Sequence, residues 1–194
     1  MAHAGDTIEN PVDGERLIFV RTVEETGEDE LVIEYFIPPG TPAVPAHVHL
    51  ASEEAFEVLA GTLEVWTGTR RNRRRLQAGE RITLVPHVPH QHGNGGPDVL
   101  HVRETFRPAG NLEIAFQATF GLARDGKATK TGLPKNLLDT ALILQLLGIV
   151  PAGLPVPVAR VGVNSVARLA RRLGRAQSYP AYSHRSALLV PIDS

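Results

Sequence analysis

The chain has 194 residues, 42% of them hydrophobic, and a formal net charge of -1. That length suits one compact domain with an extension, and the near-neutral balance gives no whole-chain bias toward nucleic acid. The absence of cysteine excludes disulfides, thiolate metal ligands and a cysteine nucleophile and fits a cytoplasmic protein; with eight histidines, any metal site must be built from imidazoles and carboxylates.

Met1–Asn10 is polar and carries Asp6 and Glu9, so it does not read as a signal peptide. From Leu17 to Phe106 the chain reads as short strands separated by turn residues. Leu17–Val23 and Leu31–Ile37 are apolar runs of strand length. The acidic stretch Glu24–Glu30, with Gly27 inside it, reads as their hairpin connection. Ala55–Leu59, Leu63–Trp66, Arg73–Leu76, Ile82–Val85 and Val99–Phe106 complete the set.

The character changes near Pro108. Asn111 is placed to cap a first helix, on which Phe116 and Phe120 share a face. Asn136 is placed to cap a second helix running to Leu147. A third is expected over Asn164–Leu173, and Gln177–Ser194 reads as a tail. Ala141–Val163 is apolar enough to raise a membrane span, but Pro151, Pro155 and Pro157 interrupt it, and no membrane role is expected. Arg70–Arg75 holds five arginines in six positions. Without interleaved aromatics it reads as a solvated hairpin rather than a nucleic-acid patch.

The chemistry is concentrated in two segments. In an extended strand residues two apart face the same way, so His47 and His49 converge on one point. A carboxylate on the next strand completes the shell. Glu53 and Glu54 both compete, and Glu54 shares strand parity with Phe56 and Val58. Later, Pro86-His87-Val88-Pro89-His90-Gln91-His92 brings further imidazoles from a neighbouring strand. Such a donor set suits zinc, iron, manganese or nickel.

These segments resemble the two motifs of the cupin superfamily. Gly40, His47, His49, Glu54 and Gly61 match the first, with one extra residue between Gly40 and His47. Gly79, Pro86, His90 and Asn94 match the second, although its turn glycine is replaced by His87 and Val88 and the Pro86-to-His90 interval is one residue short. The C-terminal run from Phe120 through Leu138 and Tyr179–Ser183 is similar to bacterial single-cupin proteins with a helical extension.

The resemblance implies a mainly β fold: a cupin-type double-stranded β-helix, or jelly-roll barrel, with C-terminal α-helices. It divides the chain into an N-terminal segment (1–16), the barrel (17–108), a helical extension (109–176) and a tail (177–194). It implies one divalent metal ion on His47, His49, Glu54 and His90, with His92 in reserve. Phe36, Phe56, Trp66 and Phe106 are the expected pocket walls, and Glu104 and His92 the expected proton-transfer groups. His101 is expected to face out if Glu104 faces in. The first functional expectation is a dioxygenase-type oxidoreductase acting on a small organic molecule. The alternatives are a non-redox isomerase or lyase, and a non-enzymatic binding or sensing module. A homodimer is expected by analogy with the fold.

Overall fold

The structure is a computed structural model and describes residues 2–26, 29–68 and 71–175. Its elements are β1 (Thr7–Glu9), β2 (Arg16–Arg21), α1 (Val23–Thr26), β3 (Leu31–Ile37), β4 (His47–His49), β5 (Glu53–Ala60), β6 (Thr62–Thr67), β7 (Arg73–Gln77), β8 (Arg81–Leu84), β9 (His90–Asn94) and β10 (Leu100–Arg107). The C-terminal part adds α2 (Leu112–Arg124), α3 (Leu137–Leu146), β11 (Ile149–Pro151) and α4 (Val156–Arg172).

The strands form two antiparallel sheets. One has the order β1-β2-β3-β10-β5-β8, the other β11-β4-β9-β6-β7. They share a core in which Phe19, Ile33, Phe56, Val58 and Val102 of the first pack with Leu63, Val65 and Leu76 of the second. Neither sheet closes on itself, so the expected barrel is two open sheets stacked face to face. Each keeps two edge strands instead of hydrogen-bonding its first strand to its last.

Alternation sets the inner face. In β10, Leu100, Val102, Glu104 and Phe106 are buried while His101, Arg103 and Thr105 are not. In β5, Glu54, Phe56 and Val58 are buried while their neighbours are half-buried. The turn after β5 needs Gly61: its φ is 79°, and a Cβ there would meet the Val99 carbonyl at 2.7 Å.

The extension is built into the sandwich. Its strand β11 pairs with β4, placing Ile149 opposite His49 and Pro151 opposite His47. A proline is tolerated there because β11 is an edge strand. Helices α2, α3 and α4 share a second core of Ala115, Leu122, Leu142, Leu146, Ala167 and Ala170.

Helix ends differ from the sequence reading in instructive ways. Asn136 caps α3, its side chain accepting from the Leu138 N–H. Asn111 occupies the N-cap of α2 but makes no side-chain capping bond. The third helix begins at Val156, not Asn164: Pro155 and Pro157 stand at its N-cap and first turn, where proline starts a helix rather than breaking one. Among the described residues no helix is long and apolar enough to cross a membrane. The expected acidic hairpin contains the helical turn α1, and its Gly27 and Glu28 lie outside the described residues. The tail at 177–194, Tyr179–Ser183 within it, and Arg70 also lie outside them. In the arginine run, Arg73 and Arg75 pair with the mostly buried Glu64.

Candidate metal centre and its pocket

The four motif residues meet at one point. His47 and His49 come from β4, His90 from β9 and Glu54 from β5, so the cluster joins the two sheets. All four are buried, and one ligand atom from each lies within 4.8 Å of the others. His47 pairs with His90 across β4 and β9.

Backbone carbonyls fix two of the imidazoles. A carbonyl only accepts, so the Pro45 oxygen 2.8 Å from His47 Nδ1 places the ring proton on Nδ1. The Val88 oxygen, 2.9 Å from His90 Nδ1, does the same. Both histidines use the carbonyl two residues back, and both are left with Nε2 facing the cluster as a lone pair, the second-shell arrangement of a metal ligand.

The facing atoms fit a cation. His90 Nε2 and Glu54 Oε2 are buried 3.1 Å apart, and neither has a partner of hydrogen-bond geometry. His49 Nε2 lies 3.6 Å from the same oxygen. Ligands on a common ion with bonds of about 2.1 Å sit roughly 3.0–3.4 Å from each other. Lone pairs held this close need a positive charge between them, so the residues fit one divalent metal ion, whose identity the donor set leaves open.

The electrostatics agree. Burial holds the His47 imidazole down at about 3, with Glu54 opposing and the other histidines assisting. Burial likewise takes His92 to about 4 and lowers His49. These rings are neutral at ordinary pH, as ligands must be. Burial works against the Glu54 carboxylate, but the surrounding His92, His90, His49 and His47 override it and keep it ionised. His90 moves the other way: burial pulls it down, and the Glu54 carboxylate 3.1 Å away carries it above its ordinary value. A metal arriving there displaces that proton.

A cavity of about 340 Å³ opens from the cluster, within the range of small-molecule sites. His47, His49, Glu54 and His92 line one end. Phe106, Leu112, Phe116 and Phe120 make apolar walls, and Asn10, Asp13, Glu15, Tyr35 and Glu104 also reach it.

His92 lies in the cavity wall, its Nε2 3.6 Å from Glu54 Oε1, beside the four-residue cluster rather than within it. Glu104 faces in and is buried, with Oε1 unpartnered. His101 faces out, bonded to Glu34 at 2.9 Å.

Of the expected pocket walls, Phe106 lines the cavity. Phe56 lies behind it in the core, 4.8 Å from the His92 ring. Phe36 and Trp66 require correction. Phe36 points outward, stacked on His101 at 4.0 Å, with the Arg16 guanidinium 3.8 Å from its ring centroid. Trp66 is half-buried under Arg73, because Leu63 and Val65 take the inward positions of β6.

Sequence reading missed Glu15 and Tyr35. The Tyr35 hydroxyl donates to Glu15 Oε2 at 2.6 Å. Burial lifts the Glu15 carboxyl to about 7, against the Tyr35 hydrogen bond and with help from Asp13. Tyr35 shares strand parity with Ile33 and Ile37, which is the signal that could have found it.

The altered second motif keeps its turn. His87 stands at φ 67°, the left-handed conformation that suits glycine, and its N–H donates to the His49 carbonyl at 2.9 Å. Asn94 ties the end of β9 down: its amide donates to the Ile37 and Asp98 carbonyls and its oxygen accepts from Gly96.

Residues 34–106 match the family model described as the cupin domain. No curated protein matches the chain. Among solved structures, similar ones include KdgF from Halomonas sp., 20% identical with a TM-score of 0.40, covering 48% of this chain and 80% of that one. Another is a predicted oxalate decarboxylase from Thermotoga maritima, 18% identical with a TM-score of 0.44, covering 52% and 89%. A third is an uncharacterized conserved protein with a double-stranded β-helix domain from Klebsiella pneumoniae, 23% identical with a TM-score of 0.39, covering 46% and 90%.

Proposed function

We propose that this chain, whose residues 34–106 match the cupin domain, is a metal-dependent, non-redox cupin enzyme, an isomerase or lyase, acting on a small organic molecule. In this reading the two stacked sheets are the walls of a jelly roll, and His47, His49, Glu54 and His90 hold one divalent ion. When bound, that ion supplies Lewis acidity to an oxygen of the ligand.

The observation that carries the reading is Glu104. It is a buried carboxyl without a partner at Oε1, in the wall of the same cavity. The β-register makes it a diagonal neighbour of Glu54, since Glu104 opposes Phe56 and Phe106 opposes Glu54. Burial, then the charges of Glu54 and Glu15, hold it well above the usual carboxylate range. A carboxyl tuned upward in a mostly apolar pocket carries its proton and is suited to giving it to a ligand atom and taking it back. His92, neutral and adjacent, is the second candidate for that transfer. The cavity is mostly apolar and accepts a ligand of modest size.

The test is turnover of a panel of small enolisable carbonyl and carboxylic compounds by metal-loaded protein in oxygen-free buffer. Turnover is expected without oxygen, and Glu104→Gln should lower it about 10²–10⁴-fold with metal content unchanged. Stoichiometric oxygen consumption would instead establish a dioxygenase. Tight binding without turnover would establish a binding module.

A further inference from the structure

The polar groups of the six-stranded sheet form a line. Leu17 opposes Tyr35, Tyr35 opposes Val102, Glu104 opposes Ile33 and Phe56, and Glu54 opposes Phe106. Glu15, two residues before Leu17, is therefore diagonal to Tyr35, Tyr35 to Glu104, and Glu104 to Glu54. One polar side chain from each of β5, β10 and β3, and Glu15 from just before β2, run across the inner face from the metal cluster, and all four line the cavity.

That far end is rich in hydrogen-bond acceptors, and its nearest donors are largely committed to one another. The Tyr35 hydroxyl hydrogen is committed to Glu15. The Asn10 amide donates to Asp13 Oδ2 at 2.9 Å, and its oxygen accepts from the Val12 N–H. Asp13 in turn accepts from the Glu15 N–H, which fixes the acidic loop. What remains for a ligand is Glu15 Oε1, the Tyr35 oxygen lone pairs and Glu104 Oε1, which is buried and unpartnered. Among the described residues the one lysine or arginine lining the cavity is Lys130, which is exposed. Two carboxyls and a phenol oxygen gathered in one cavity suit a compact cation with several donors, whose own charge would favour the ionised form of the carboxyl it meets.

We propose that the ligand of this cavity carries a primary ammonium group, held by Glu15 and Tyr35 at the end remote from the metal cluster, with the unpartnered Glu104 carboxyl lying between them and the cluster. This deepens the proposed function and rests on reading the cavity as its small-molecule site. The ligand class is then a small amine whose opposite end bears an oxygen donor for the metal, with an apolar spacer along Phe106, Phe116 and Phe120.

The experiment is calorimetric titration with n-alkylamines of four to six carbons against n-alkanols of the same length, on protein with and without zinc. The amines should bind at least about tenfold more tightly than the matched alkanols in both states, as a charge-assisted hydrogen bond requires. In Glu15→Gln the preference should fall below about threefold, with zinc content as in the unsubstituted protein. Tyr35→Phe, which keeps the ring, is the second variant and should reduce the preference less. Equal affinity for amine and alkanol, binding of neither, or a preference surviving in Glu15→Gln would overturn the inference. Failure to bind zinc would overturn the metal reading alone, because the metal-free titration decides the ammonium site by itself.

Discussion

On β4 and β9 the inward polar side chains are imidazoles; on the six-stranded sheet opposite they are carboxylates and a phenol. His47, His49, His90 and His92 belong to the first wall, and Glu15, Tyr35, Glu104 and Glu54 to the second. Burial acts on both but with different results. It keeps most of the imidazoles neutral and pushes Glu15 and Glu104 toward their protonated forms. Glu54 stays ionised because it alone of the acids faces the histidine wall. The difference gives one cavity neutral imidazoles around an ionised carboxylate at one end and carboxyls held toward their protonated forms beyond it.

The largest expected effect comes from breaking the join between the walls. A metal that binds only the folded state at 1,000 times its Kd adds about 4 kcal/mol. For a chain of this size that is about 8–16 °C in Tm, so chelation should lower Tm by that order. Glu54→Gln keeps the side-chain volume but removes the only ligand from the six-stranded sheet. Metal affinity should fall by more than the about 10–100-fold typical of losing a ligand's hydrogen-bond partner, as read by metal analysis after dialysis. His92→Ala should cost at most about tenfold, since His92 stands beside the cluster. If His92→Ala strips the metal and His90→Ala does not, the ligand assignment is wrong.

The histidine wall was legible in the sequence and the acid wall largely was not. Period-two parity alone brings His47 and His49 to one face, and the compact spacing to Glu54 points to the facing strand that meets them. Glu104 followed once the parity of Leu100, Val102 and Phe106 was set. Phe36 misled because β3 is apolar on both faces at first, Leu31, Val32 and Ile33 all being buried, and Trp66 because β6 likewise buries Leu63, Glu64 and Val65 in succession. Hydrophobicity then gives no parity there. Tyr35 turns inward because its hydroxyl meets Glu15, while His101 and Arg16 cover Phe36 outside. Both facts depend on partners 20 to 65 residues away in sequence, roughly the separations that short-range patterns cannot encode. The same holds for β11, three residues long, which is a strand only because β4 lies beside it.

Glu15 offers a way to sharpen the comparison through pH. Its folded carboxyl is raised from 4.5 to about 7 by burial. Between those values the folded state keeps a proton that the unfolded state has lost. Stability therefore falls as pH rises through the window. Allowing for partial solvent contact, the contribution is about 1–2 kcal/mol. Glu15→Gln removes it, so the variant should be no more stable than the unsubstituted protein at pH 4 and a few degrees more stable at pH 8. Glu104 pushes in the same direction in both proteins, and the difference between their Tm-versus-pH curves isolates Glu15. Parallel curves would mean that Glu15 ionises in the folded state as freely as in water, and the acid wall would lose one of its protonated members.

The smallest effect concerns the turn that delivers His90. His87 holds the left-handed backbone at φ 67°, which costs an L-residue roughly 1–2 kcal/mol. Glycine avoids that cost, while its greater freedom in the unfolded chain offsets about 0.5–1 kcal/mol of the gain. His87→Gly should thus stabilise by about 0.5–1 kcal/mol, or about 1–4 °C. The bond from residue 87 to the His49 carbonyl is made by the backbone N–H and survives the change. Metal affinity should therefore stay the same, because the imidazole of His87 is exposed and outside the cluster. A fall in Tm, or a loss of metal, would show that the ring does more at this turn than occupy a strained position, and that the histidine wall extends to a residue its geometry now leaves out.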